Sequence, residues 1–358
     1  MDGMDVRGIR SRYEQANRKK WMILFICVAA MAALGLYCIT IGVADTSFLQ
    51  VFKAVSAWAG GRLGEGEDAA ADKIIVLMRL PRIVIAVVAG TGLSVSGAAM
   101  QAVTRNPLVS PFTMGISSAS AFGASLCIVF GTGMFFQSEL GIIFSAFSWA
   151  AVCVLFVYGI SAKAGMGAET VVLTGIALNY LFNALTCAIE FFAQEHKLAA
   201  VVQWTFGTFN GTIWRDVLFS GAFVLVFSLV ILRCRLKLNA MISGEDELVK
   251  SLGVNPEGIR ALILLSSVFM TAAVISFTGV IGFVGLVAPH IARLLVGNDH
   301  KFLIPFSAVT GSILLMVSDA IGKTLLSPVS IPVGIVVSFL GVPLFIHLIL
   351  KGRRRVGE

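Results

Sequence analysis

The chain has 358 residues, of which 57% are hydrophobic and only 13% charged, and its mean hydropathy is +0.91. That balance excludes a soluble globular domain and leaves an all-α polytopic membrane protein. The formal net charge of +7 reads as a topology signal with a contribution from anionic lipid, because no basic-aromatic surface accompanies it and nucleic-acid binding is not expected.

Residues 1–20 form a basic tail expected in the cytoplasm. Residues 22–43 are apolar for longer than the roughly 7–15 residues of a signal-peptide core, so a retained first span is expected and no cleaved leader. Further spans are expected at 83–104, 113–133, 141–161, 170–193, 216–233, 261–279, 281–297, 303–325 and 332–350, which makes about ten within a transmembrane domain of residues 21–350. A cytoplasmic segment at 234–260 interrupts this domain, and residues 351–358 form a second basic tail. Placing both termini in the cytoplasm puts 19 of the 27 Lys and Arg on that side, as retention of basic loops requires.

The catalytic patterns tested all fail. Gly322-Lys323-Thr324 imitates the end of a phosphate-binding loop, but Val317 stands where its first glycine belongs. Gly90-Thr91-Gly92 lacks the third glycine of a dinucleotide site, and no G-x-S-x-G elbow or H-E-x-x-H pair occurs. The six cysteines lie in or beside apolar runs without a C-x-x-C pair, so they read as small core residues, and no metal site is expected. The chain is expected to bind no cofactor and to be no enzyme.

Small residues at four-residue spacing, Gly115, Ala119 and Gly123, and the stripe Gly334, Ser338 and Gly341, predict close helix contacts. Breaks at Asn106-Pro107-Leu108, at Gly279 to Pro289 and at Pro328 to Pro332 predict irregular backbone, which a membrane tolerates only where protein or a water-filled cavity satisfies it. After the sixth span, Ser243 with Asp246 resembles a capping box, and Glu245, Asp246 and Glu247 load a first helical turn with negative charge. A short amphipathic helix follows, with Leu248, Val249 and Leu252 on one side, Lys250 toward its C-terminal end and Gly253 as C-cap. Its acidic start disfavours anionic lipid and favours docking to another protein.

Arg79-Leu80-Pro81-Arg82, the helix with Gly90, Gly92, Gly97 and Gln101, Asn106-Pro107-Leu108, Gly244-Glu245-Asp246-Glu247 to Ser251-Leu252-Gly253-Val254, Gly282 to His290, and Pro332-Val333-Gly334 together resemble the FecCD-like permeases of bacterial ABC importers for iron-siderophores and cobalamin. The resemblance implies a ten-span permease in the bacterial cytoplasmic membrane. It implies a second permease subunit, two ATP-binding subunits that hold ATP and Mg, and an extracytoplasmic substrate-binding protein. It further implies that Arg79, Arg82 and Lys323 dock the binding protein, that Gly244, Glu245, Asp246, Glu247, Leu248, Ser251, Leu252 and Gly253 couple to the ATPases, and that Asn106, Pro107, Gly175 and Asn179 are candidates for lining the path. Lys323 and Ser330 depart from the family pattern, standing where relatives often carry Arg and Glu. The cargo expected is a metal already wrapped by a chelator, of the ferric-siderophore type, with haem and cobalamin as alternatives. An ion-coupled secondary transporter is the rival class, for which Glu190 and Asp319 are the carboxylates near span interiors.

Overall fold

The computed structural model describes residues 6–42, 46–64, 68–136, 138–165 and 167–354. Among them there are helices and no strands. In chain order these are α1 (Val6–Thr40), α2 (Phe48–Ala59), α3 (Ala69–Ile74), a five-residue π-helical turn (Ile75–Arg79), α4 (Leu80–Thr104), α5 (Ile116–Phe130), α6 (Gly133–Phe136), α7 (Glu139–Lys163), α8 (Ala168–Phe192), α9 (Glu195–Thr205), α10 (Trp214–Arg233), α11 (Arg235–Ser243), α12 (Asp246–Ser251), α13 (Pro256–Thr278), α14 (Val284–Val296), α15 (His300–Thr324) and α16 (Val333–Arg354).

Each expected span falls on a helix, but not all are of one kind. Seven are long and apolar enough to cross a bilayer: α1, α3–α4 with the π-turn, α7, α8, α10, α13 and α15. The other three fall on shorter apolar helices, Ile116–Phe130, Val284–Val296 and Val333–Pro343. At 1.5 Å per residue, α5 reaches only about 22 Å and α14 about 20 Å, short of a hydrocarbon core of roughly 30 Å. Their shortness follows from the breaks before them. Asn106 Oδ1 accepts from Leu108 N at 2.9 Å and Pro107 cannot continue α4, so the chain turns through residues 105–115 before α5 begins. Gly279 and Phe283, both at positive φ, make the equivalent turn before α14.

The first tail is not separate from the first span, since α1 is one helix from Val6; residues 1–5 and 355–358 lie outside the described residues. Five further helices, α2, α3, α6, α9 and α11, form where only connections were expected. The first of these had a readable signal, because Ser47 and Gln50 form a reciprocal capping box. Cys38, Cys127, Cys153 and Cys234 are buried as expected, whereas Cys187 is exposed on α8 and Cys27 is half-buried.

The core is organised around α4, which is buried along nearly its whole length. Helices in lipid gain no hydrophobic drive toward one another, so they are held by close packing, and α4 supplies it with glycines. A Cβ on Gly97 would lie 1.8 Å from Gly285 O of α14, and one on Gly90 would lie 2.5 Å from the backbone of Gly311 and Ser312 of α15. Ser312 Oγ donates to Val87 O at 3.0 Å across the second crossing. The small-residue series is also packing: Ser145 Oγ of α7 donates to Gly123 O at 2.6 Å, and Gly334 meets the backbone of Phe206.

Gly97→Ala is therefore expected to lower thermal stability of the detergent-purified chain by at least about 1–3 kcal/mol, the range for overpacking, because the obstacle is backbone that cannot swing away. Gly159→Ala, which meets no atom within 4 Å, should be neutral in the same unfolding measurement.

Candidate functional site

Both ends of α4 carry an arginine cluster, and each cluster is built on one carboxylate shared by two cations. At the N-terminal end, Arg82 Nε and Nη2 donate to Asp319 of α15 at 3.0 and 2.7 Å, and Lys323 Nζ reaches the other oxygen of Asp319 at 2.8 Å. Asp319 is only 2% exposed and Lys323 follows it by one helical turn. Arg82 also donates to Asn210 Oδ1, and to Ser330 Oγ at 3.4 Å. Arg79 points elsewhere, donating to Ile39 O at the end of α1 at 2.8 Å and to Thr46 Oγ1. The structure thus brings Arg79, Arg82 and Lys323 together on the wall of one cavity of about 520 Å³, with Asn210, Thr212 and Ser330. Among the described residues Arg82 and Lys323 share the one carboxylate of Asp319, and two cations against one anion leave this basin positive where they meet. Asp319 was legible only as a carboxylate near a span interior; the missed signal was its i,i+4 spacing to Lys323.

At the other end, the acidic segment is bolted to the bundle. Asp246 accepts from Arg260 Nη1 and Nη2 of α13 at 2.7 and 2.6 Å and from Arg105 Nη2 at 2.7 Å. Arg260 is 1% exposed and further donates to Val103 O of α4, while Arg105 Nε donates to Met241 O of α11. These bonds, those of Arg260 first, hold the Asp246 carboxyl down at about 2 from its ordinary 3.8, against the opposing effect of burial. In the sequence Arg105 and Arg260 were legible only as topology markers, since their carboxylate lies 141 and 14 residues away, beyond the reach of any helical spacing.

The helix expected at this place is present but differs in two details. Ser243 is not its cap: it ends α11, donates to Ala240 O, and leaves Glu245 at the N-cap position of α12 without a side-chain cap bond. Asp246 is committed to the two arginines instead. Leu248, Val249 and Leu252 do not share a side, for Val249 is buried while Leu248 and Leu252 are 48% and 58% exposed. Val249 clamps α12 to the core, and the i,i+4 pair Leu248 and Leu252 stands outward, an apolar patch on an anchored helix. Gly253 has φ +78, and Gly253 N and Val254 N bond back to Lys250 O and Val249 O, closing the helix as expected. Gly244, Glu245, Glu247 and Ser251 complete the segment, with Ser251 Oγ turned back to Leu248 O.

The four path candidates separate into two places. Gly175 and Asn179 of α8 touch the start of α5, where Gly175 faces Met114 and Asn179 Oδ1 accepts from Ser118. Asn106 and Pro107 lie in the turn after α4, and Pro107 lines a cavity with Arg105 and Arg293. An apolar cavity of about 570 Å³ lies between the turn before α5 and α16, lined among others by Phe112, Gly282, Phe283, Ser338 and Phe339. None of the four candidates lines it. Among the described residues no group of three or more His, Cys, Asp or Glu could hold a metal ion.

Residues 27–351 match the FecCD transport family. This chain belongs to that family. The FecCD chain is 34% identical over 348 residues to the Fe(3+)-citrate import system permease protein YfmD of Bacillus subtilis, covering 95% of this chain and 99% of that one. It is 34% identical over 331 residues to the cobalamin import system permease protein BtuC of Halobacterium salinarum, covering 89% and 87%. A solved ABC transporter of metal-chelate type, in an inward-facing conformation, superposes with a TM-score of 0.81 at 30% identity over 92% of the FecCD chain and 99% of its own.

Two measurements check the clusters. Asp246→Ala should cost roughly 2–4 kcal/mol, somewhat less than breaking a fully buried pair, since Arg260 loses its counter-charge while Asp246 itself is 32% exposed. Because the folded carboxyl titrates lower than the free one, the contribution is complete above about pH 4 and is lost as pH falls toward 2. Hydrogen exchange at residues 244–254 should therefore be protected at pH 5 to 7 in the wild type and fast at every pH in the variant. At the opposite end, Asp319→Asn should destabilise more than Lys323→Met, which leaves the Arg82 pair intact, as read by thermal unfolding.

Proposed function

We propose that this chain is the membrane-spanning subunit of a binding-protein-dependent ABC importer, moving a ferric chelate into the cytoplasm with ATP hydrolysed by partner subunits. The observation that carries the reading is that one helix, α4, holds the positive basin at its first turn and the anchor of α12 at its last. Over 25 residues these ends stand about 37 Å apart, so the two clusters face opposite sides of a bilayer. The basic-loop bias supports placing the α12 end and both termini in the cytoplasm, and the membrane as the cell's cytoplasmic one.

In this reading the basin of Arg79, Arg82 and Lys323 draws acidic groups of an extracytoplasmic binding protein, and Leu248 and Leu252 dock one of two ATP-binding subunits that carry ATP and Mg. Movement of a docked subunit pulls α12, and Asp246 transmits it to Arg105 at the end of α4 and to Arg260 at the start of α13. The path runs between this chain and a second permease subunit, and no bond is made or broken in it. A chelate cargo is supported by the relatives' import of Fe(3+)-citrate. Cobalamin stays the nearest alternative, because a relative of equal identity imports it. Ion coupling is disfavoured: Asp319, a carboxylate that could carry a proton, is occupied by Arg82 and Lys323.

Leu252→Asp changes an exposed side chain, so the variant should fold and insert while losing co-purification of an ATP-binding subunit. Retained co-purification, or chelate uptake that persists when ATP is depleted and the proton gradient is intact, would overturn the reading.

A further inference from the structure

The helix α2 carries three faces, each repeating at helical spacing. Val51, Ala54 and Trp58 form one, with Val51 and Ala54 buried in the core cluster that also holds Ile39, Ile75 and Val76. Gln50, Lys53 and Ala57 form a second, which carries the only charge of the helix. Phe48, Phe52, Val55 and Ala59 form the third, flanked by Leu49 and Ser56, and its start is bare: Phe48, Leu49 and Phe52 are 61%, 64% and 74% exposed. Ser56, the polar residue beside this stripe, has its hydroxyl satisfied within the helix, donating to Lys53 O at 2.8 Å.

Contacts at both ends fix where α2 lies. At its start, Arg79 Nη1 donates both to Ile39 O in the last turn of α1 and to Thr46 Oγ1, two residues before Phe48, so α2 sets out from the level at which α1 ends. At its finish, Trp58 stacks on Trp214, the first residue of α10, with ring centroids 5.2 Å apart and planes 17° from parallel. Trp214 Nε1 in turn donates to Val76 O of the π-helical turn at 3.0 Å. Both contacts converge on that turn, so the end of α1 and the start of α10, two helices able to cross a bilayer, lie on one side of the membrane. Pinned to both, α2 runs along the membrane surface and does not project from it, and its tryptophan pair stands at the level where such rings collect.

A helix lying in that plane with one face on the bundle turns its other two faces away from each other. One assignment satisfies both, with the Lys53 face in water and the Phe48–Phe52 face in the membrane. We infer that α2 is an interfacial helix whose Phe48, Leu49 and Phe52 are seated in the lipid leaflet at the Arg79 end of the bundle. Lipid is the occupant, and not a protein, because α2 leaves α1 at the end of a span on which Leu36 and Tyr37 are already exposed at membrane depth. Thr46 joins this seat to Arg79, so the leaflet supports one wall of the basic cavity. The inference is independent of the cargo and of the partner subunits.

The test places single labels around α2 in the full chain. Leu49→Cys, Phe52→Cys, Lys53→Cys and Ala57→Cys are each made in a Cys27→Ala, Cys187→Ala background, which removes the two cysteines that are not buried, and labelled with bimane. The protein is reconstituted in phosphatidylcholine nanodiscs, with or without bromine near the headgroup end of the acyl chains, and iodide is the aqueous quencher. An apolar face seated about 5–10 Å into the headgroup boundary should be quenched by bromolipid at 49 and 52 at least about threefold more than at 53 and 57, with iodide giving the reverse order. Equal bromolipid quenching at all four positions, or iodide reaching 49 and 52 as freely as 53 and 57, would overturn the inference. Protection of 49 and 52 from both quenchers would overturn it too, and would assign the stripe to a protein contact.

Discussion

The contact of α4 with α14 and α15 is the constraint on which the rest depends. Where Gly97 meets Gly285 and Gly90 meets Gly311, two backbones approach so closely that no side chain of any size fits between them. In water such an approach would be one contribution among many; in lipid, where apolar side chains gain nothing by leaving the solvent, it is what holds a bundle together. Fixing α4 against both neighbours sets the positions of Arg82 over Asp319 and Gln101 beside Arg293, so the polar chemistry at both ends inherits its geometry from glycines in the middle.

The two ion clusters solve the same problem in opposite senses. At the Arg82 end the carboxylate is buried and two partly accessible cations cover it, so the charge left over is positive and faces outward. At the Asp246 end the buried member is Arg260, and the carboxylate is the accessible one. Removing the central carboxylate is costly in either place because a low-dielectric site is left with unpaired cations. The first arrangement suits attraction of an acidic partner, and the second suits a latch that a docking protein can move as a unit.

The sequence made the membrane class, the helix positions and the short acidic helix legible, because hydropathy, breaker residues and Gly253 are local signals. The family resemblance added roles that no local pattern carries. What stayed hidden was long-range: Asp246 finds Arg105 and Arg260, and Arg82 finds Asp319, only after α4, α12, α13 and α15 are assembled. The same cause explains the misplaced cap, since Ser243 has the composition of an N-cap but α11 runs through it. It also explains the split of Leu248 from Val249, because which face of a short helix is inward depends on what it is anchored to.

The shortness of α14 has an electrostatic consequence. The apolar cavity includes Phe283, the N-cap residue of α14, so this helix begins beside the space with the positive end of its peptide-dipole array next to it. A region walled by phenylalanines and glycine thus acquires a standing positive potential from backbone alone. Unlike an ionised side chain, that potential cannot be titrated away, and it gives a negatively charged solute a shallow attraction without a ligand that would retain it.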